Sequence, residues 1–83
     1  MENLSVPYVA FPQQVAKIKK ELMNAVGSVL ESGQYVLSER GKQFEKEFSE
    51  YSEAKFATGV ANGTCALHLV LRSLDIGPGD EVI

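Results

Sequence analysis

The stretch Phe56-Ala57-Thr58-Gly59-Val60-Ala61, followed by Asn62-Gly63-Thr64 and then by Cys65-Ala66-Leu67-His68-Leu69-Val70-Leu71-Arg72-Ser73-Leu74, decides how the chain is read. Small and β-branched residues suit a short buried strand, Asn-Gly suits a sharp turn with positive φ, and the Ala/Leu-rich run after Thr64 suits a helix. A strand, a turn and a helix in that order leave unpaired N–H groups at the positive end of the helix dipole. Glycine lets an anion approach that backbone closely, and the Thr64 hydroxyl adds a donor, so the turn is a cup for a phosphate. Asn-Gly between apolar runs is also a hairpin signal. Residues 65, 67, 69 and 71 are apolar, as a strand would have them, but Ala66 and Val70 spoil the alternation. Leu67, Val70, Leu71 and Leu74 follow helical spacing instead, and the run exceeds the roughly five to six residues of a typical strand. The helix is the better reading. By physics alone the cup is generic, and an ordinary strand-turn-helix connection explains the same residues equally well.

The 83 residues, 45% of them hydrophobic, suffice for one small domain with a limited buried fraction. Net charge is -3 with both signs interspersed, so no basic stripe is present to neutralise a nucleic-acid backbone. Met1-Glu2-Asn3-Leu4-Ser5-Val6 lacks a basic region followed by an apolar one, and no apolar run approaches the roughly twenty residues of a membrane span. A cytoplasmic protein with neither nucleic acid nor membrane as partner is expected. The one cysteine fits a reducing compartment. Gly77-Pro78-Gly79-Asp80 is a turn, and Glu81-Val82-Ile83 begins what reads as a further strand. The chain therefore reads as the N-terminal part of a longer protein.

Working outward, residues 4–12 carry Pro7 and Pro12 and read as an extended lead-in. From Gln13 to Ser32, Val15, Ile18, Leu22, Ala25, Val26, Val29 and Leu30 recur at helical spacing, with Lys17, Lys19, Lys20 and Glu21 on the opposite, solvated face. Pro12 suits the first turn of this helix, Gly33 suits a left-handed cap, and Gly27 is a weak point. Ser38 suits the N-cap of a second helix running to Tyr51, with Phe44, Phe48 and Tyr51 as an apolar stripe facing a core. The order helix, helix, strand, helix, strand implies a parallel βαβ crossover and an α/β fold.

Spacing weakens two phosphate-binding readings, the dinucleotide site and the P-loop. Gly59-Val60-Ala61-Asn62-Gly63-Thr64 is not G-x-G-x-x-G, and it lacks the lysine of a P-loop. Four stretches taken together say more: Leu30-Glu31-Ser32-Gly33-Gln34-Tyr35, Phe44-Glu45-Lys46-Glu47-Phe48-Ser49-Glu50-Tyr51, Ala61-Asn62-Gly63-Thr64-Cys65-Ala66-Leu67-His68-Leu69, and Ile76-Gly77-Pro78-Gly79-Asp80-Glu81-Val82-Ile83. In order and spacing they resemble the N-terminal part of the DegT/DnrJ/StrS family, pyridoxal-phosphate-dependent aminotransferases of nucleotide-linked keto-sugars. Val6-Pro7-Tyr8-Val9 resembles that family's lead-in.

The resemblance implies a fold-type-I transferase. It would have a large α/β domain with a mostly parallel sheet, a smaller C-terminal domain, and a homodimer with active sites at the subunit interface. Residues 1–83 would be the N-terminal arm and the start of the large, cofactor-binding domain. Gly63, Thr64 and Cys65 would bind the phosphate of pyridoxal 5'-phosphate, and Tyr35 would contact substrate. The whole enzyme would move an amino group from glutamate to the keto-sugar. The family's Schiff-base lysine, the acid that protonates the pyridine nitrogen and the stacking ring lie beyond the position of Ile83. None of Lys17, Lys19, Lys20, Lys42, Lys46 and Lys55 takes a catalytic role, and residues 1–83 alone are expected to be inactive. A sugar dehydratase of the same family and a non-catalytic regulatory protein that keeps the fold are the alternatives.

Three residues deserve separate expectations. Cys65 and His68 have a metal-ligand spacing, but two ligands without a second pair make a poor metal site. Cys65 reads as a small filler in preference to a reactive thiol at a helix N-terminus. His68 reads as packed against a neighbouring element with a backbone hydrogen bond. Ser52 stands where the family commonly has glycine, which bears on the local turn.

Overall fold

The computed structural model describes residues 3–83, so the reading of Met1 and Glu2 as part of a leaderless N-terminus lies outside the described residues. Three helices form, α1 (Phe11–Ser32), α2 (Glu39–Tyr51) and α3 (Gly63–Ser73). The chain divides into two units, Met1–Ser38 and Glu39–Ile83.

In the first unit α1 follows the predicted stripe but starts two residues earlier, at Phe11. Pro12 lies in its first turn, where a missing N–H is no loss and φ is already helical. The turn closes through Gln14 N–H to the Ala10 carbonyl at 3.1 Å. At the other end Gly33 adopts φ 68°, the expected left-handed cap. The Ser32 hydroxyl donates to the Val29 carbonyl at 2.7 Å and accepts from Gln34 N–H at 3.1 Å.

In the second unit α2 begins directly after Ser38 and ends, as expected, at Tyr51. The predicted aromatic stripe is a ladder, with Phe44 and Phe48 centroids 5.6 Å apart and Phe48 and Tyr51 centroids 6.5 Å apart. These spacings fall within the range of favourable tilted ring pairs. The stripe faces no core, for no described residue of the chain is buried. Lys42 and Glu39 pair at 3.1 Å on the exposed face, a contact of little energetic weight.

Beyond α2 the left-handed residue is Glu53 at φ 53°, and Ser52 precedes it. Ala54 N–H reaches back to the Ser49 carbonyl at 2.9 Å and Glu53 N–H to Glu50 at 3.2 Å, the two bonds of a Schellman end. Ser52, expected to bear on this turn, thus leaves it intact. Helix α3 ends the same way, with Asp75 at φ 61°, Ile76 N–H on the Leu71 carbonyl and Asp75 N–H on Arg72, both at 3.1 Å. Gly77 to Asp80 is the predicted turn: Pro78 fills its second position, Gly79 has φ 93°, and Asp80 N–H closes on the Gly77 carbonyl at 3.0 Å. The Asp80 carboxylate accepts from Gly77 N–H at 2.8 Å and locks it.

Residues 56–61 and 81–83, expected as strands, form no ladder, and no strand occurs among the described residues. A strand is defined by a partner's hydrogen bonds, and the described residues offer neither segment one. They supply the helical part of the expected α/β class and none of its sheet.

Candidate functional site

The N-terminus of α3 forms as a helix, not as the second arm of a hairpin. Its geometry differs from the expected tight turn. Asn62 is extended, φ -167° and ψ 177°, and Gly63 is not among the residues with positive φ. The reason is the helix's own need for acceptors. Asn62 is the N-cap, and its side-chain oxygen accepts from Cys65 N–H at 2.8 Å, while its carbonyl accepts from Ala66 N–H at 3.0 Å.

Of the predicted trio, Gly63, Thr64 and Cys65, the cap engages one. Cys65 N–H belongs to Asn62, and the Cys65 side chain is half-buried with a free thiol. Gly63 and Thr64 are exposed, and their N–H groups make no hydrogen bond among the described residues. A methyl group on Gly63 would meet nothing within 4 Å, so the approach to these donors is open. The first turn of α3 carries no acid. The arrangement is therefore a rim of free N–H donors at the positive end of a helix dipole with no carboxylate in its first turn, able to receive an anion's oxygens.

Behind the rim runs an apolar groove of about 380 Å³ lined by Thr58, Val60, Ala66, Leu69, Val70 and Ser73. The segment that leads into the rim is held from α2: the half-buried Glu45 carboxylate accepts from Gly59 N–H at 2.8 Å.

Tyr35, the expected substrate contact, lies in the first unit, just past the end of α1. Its hydroxyl donates to the Leu30 carbonyl at 2.9 Å and caps the helix, leaving its ring exposed and the hydroxyl's acceptor capacity unused. His68 corrects its expectation. It is exposed and has no hydrogen-bond partner among the described residues, because no element covers that turn of α3. Among the described residues no group of three or more metal-ligating side chains assembles. No helix among them is long and apolar enough to cross a membrane.

Two residues of the site went unread in the sequence. Asn62 carried a findable signal, since asparagine before an apolar helix is a preferred N-cap. Glu45 carried none, because its partner lies 14 residues away and no periodicity relates them.

The model of the DegT/DnrJ/EryC1/StrS aminotransferase family matches residues 16–83. The dTDP-3-amino-3,6-dideoxy-alpha-D-galactopyranose transaminase of Aneurinibacillus thermoaerophilus is 45% identical over 94% of this chain and 22% of its own length. The dTDP-3-amino-3,4,6-trideoxy-alpha-D-glucose transaminase of Streptomyces venezuelae is 43% identical over 99% of this chain and 22% of its own. A protein of Geobacillus stearothermophilus named pleiotropic regulatory protein is 35% identical over 96% of this chain and 22% of its own. The chain thus spans about a fifth of the length of these curated relatives. No solved structure matches it. Because the family match takes in most of α1, all of α2 and α3, and the rim between them, the chain belongs to the DegT/DnrJ/EryC1/StrS aminotransferase family.

Proposed function

We propose that the whole protein is a pyridoxal-phosphate-dependent aminotransferase that carries an amino group from glutamate to a nucleotide-linked keto-sugar, and that the rim at the start of α3 seats the cofactor's phosphate. The observation that carries this reading is the pair of unpartnered N–H groups at Gly63 and Thr64, beside a hydroxyl and no acid. A phosphate dianion offers acceptors, and the two N–H groups and the Thr64 hydroxyl can each donate to it, so the two fit. The helix dipole adds roughly 0.3 to 2 kcal/mol to such a contact. Cys65 takes part only by exchanging the Asn62 oxygen on its N–H for a phosphate oxygen.

Pyridoxal phosphate, when bound, supplies the electron sink that lets an amino group leave one carbon and join another. The residues of this chain hold and orient it. Gly63 and Thr64 donate to its phosphate, Asn62 keeps the rim rigid, and Tyr35 contacts the sugar substrate through its ring and its hydroxyl's acceptor side. The covalent lysine, the pyridine-side acid and the stacking ring come from beyond Ile83. A mostly parallel sheet of the fold-type-I class would then pair with residues 56–61 and 81–83. The proposed assembly is a cytoplasmic homodimer. Two of the relatives named above are transaminases of dTDP-sugars, which supports the substrate class.

The test is to incubate the whole protein with pyridoxal phosphate, reduce with borohydride and locate the product by mass spectrometry. A pyridoxyl-lysine, together with a glutamate-dependent change in the cofactor's absorbance, is the expected result. Bound cofactor without a lysine adduct would point to a dehydratase. The relative named as a regulatory protein favours a second reading, a protein that keeps the rim without catalysis. A whole protein that binds no cofactor, covalently or otherwise, would favour that reading over both enzymes.

A further inference from the structure

We infer that Glu45 is a positioning residue for the phosphate rim. Between Lys55 and Ala61 the chain makes one hydrogen bond among the described residues, and it is Gly59 N–H to the Glu45 carboxylate at 2.8 Å. Glu45 stands on α2, among the less exposed residues of that helix, where its backbone is held by regular structure. Gly59 stands four residues before Gly63. A charge-assisted bond to an anchored carboxylate therefore fixes the backbone that delivers the rim.

A Cβ at position 59 would come within 3.4 Å of the same carboxylate oxygen, the edge of ordinary contact. The two rim donors gain most for an anion when they are already in place, because a disordered lead-in would have to be ordered on binding. Asn62 sets the start of α3 locally, and Glu45 ties the segment before it to a second helix. Glu45 itself touches no ligand in this scheme. It acts through Gly59.

The inference rests on the proposed reading of the rim as the cofactor-phosphate seat, and the experiment separates the two. In the whole protein, dissociation constants for pyridoxal phosphate and for pyridoxal, which lacks the phosphate, are measured by absorbance titration for wild type, Glu45→Ala and Glu45→Gln. Exchange of the Gly59 amide is followed in parallel. Glu45→Ala is expected to weaken pyridoxal phosphate roughly tenfold, as loss of one charge-assisted bond implies, and to leave pyridoxal unchanged. The Gly59 amide should exchange faster in that variant. Glu45→Gln keeps an oxygen acceptor for the same N–H and should restore both the affinity and the slow exchange. Equal weakening of both ligands would show a general loss of structure and overturn the positioning role, as would a Glu45→Gln variant as weak as Glu45→Ala. Wild-type binding unaffected by Glu45→Ala overturns the inference alone. A wild-type protein that binds neither ligand overturns the functional reading and this inference with it.

Discussion

At the scale of single residues, Asn62 has two effects that can be pulled apart. Its side-chain oxygen caps α3 through Cys65 N–H, and it stands next to the unpartnered N–H groups of Gly63 and Thr64. Replacing it with alanine removes the cap and should cost about 0.5–2 kcal/mol of stability, read as a lower urea midpoint of the whole protein. Asn62→Asp keeps a capping oxygen and adds a negative charge favourable to the helix dipole, so the midpoint should hold or rise. The same charge opposes a phosphate at Gly63 and Thr64, so cofactor affinity should fall on the order of tenfold or more. An Asn62→Asp protein that binds pyridoxal phosphate as tightly as wild type would place the phosphate elsewhere. Thr64→Val, which keeps the shape and loses one donor, should weaken the cofactor by roughly three- to tenfold without moving the midpoint. The site was partly legible in the sequence. Gly63 and Thr64 follow from helix-terminus physics, which depends only on neighbours in the chain. The Asn62 backbone did not, because asparagine serves equally well in a left-handed turn and at an N-cap, and the choice is made by which N–H lacks an acceptor.

At the scale of elements, the three helices were legible because each carries its own apolar period, and the strands were not, because a strand is completed by a neighbour. The helix ends lie between these cases. Gly33 announces the end of α1, but the left-handed residues that follow α2 and α3 are Glu53 and Asp75, with φ of 53° and 61°, where glycine is the usual residue. The Schellman bonds impose that conformation: the Ala54 and Ile76 N–H groups can reach the Ser49 and Leu71 carbonyls only if the residue before each turns left-handed. A side chain in this region is strained by roughly 1–2 kcal/mol, part of which glycine returns as extra freedom in the unfolded chain. Glu53→Gly and Asp75→Gly should therefore each stabilise the whole protein by about 0.5–1 kcal/mol in urea denaturation. Gly33→Ala should do the reverse by about 1 kcal/mol. If both glycine substitutions destabilise, the left-handed ends do not persist in the whole protein, or their carboxylates hold something more valuable than the strain they bring.

At the scale of the whole molecule, the decisive fact is the absence of any buried residue among those described, in a chain that is 45% hydrophobic. The apolar stripe of α1 runs along one face, yet Val15, Ile18 and Leu22 each keep more than 40% of their surface exposed. The aromatic ladder of α2 is likewise uncovered, and the α3 groove is open on Leu69 and Val70. Most helical stability in proteins comes from packing an apolar face, and isolated helices shorter than about 12–15 residues are marginal in water. Helices α2 and α3, with 13 and 11 residues, fall in or below that range, and α1 with its 22 exceeds it but carries Gly27 in its C-terminal third. Residues 1–83 expressed alone should accordingly show partial helicity that melts gradually, with no sigmoidal step in circular dichroism, and should bind a hydrophobic dye that the whole protein does not. Adding pyridoxal phosphate should not produce a step, because two backbone donors and a hydroxyl cannot supply the free energy of a missing core. A sharp, two-state thermal transition of the isolated segment would mean that these faces find one another without the rest of the protein. The apolar groove and the ladder would then be an autonomous core, and the marginal stability expected from helix length and exposure would have to be abandoned.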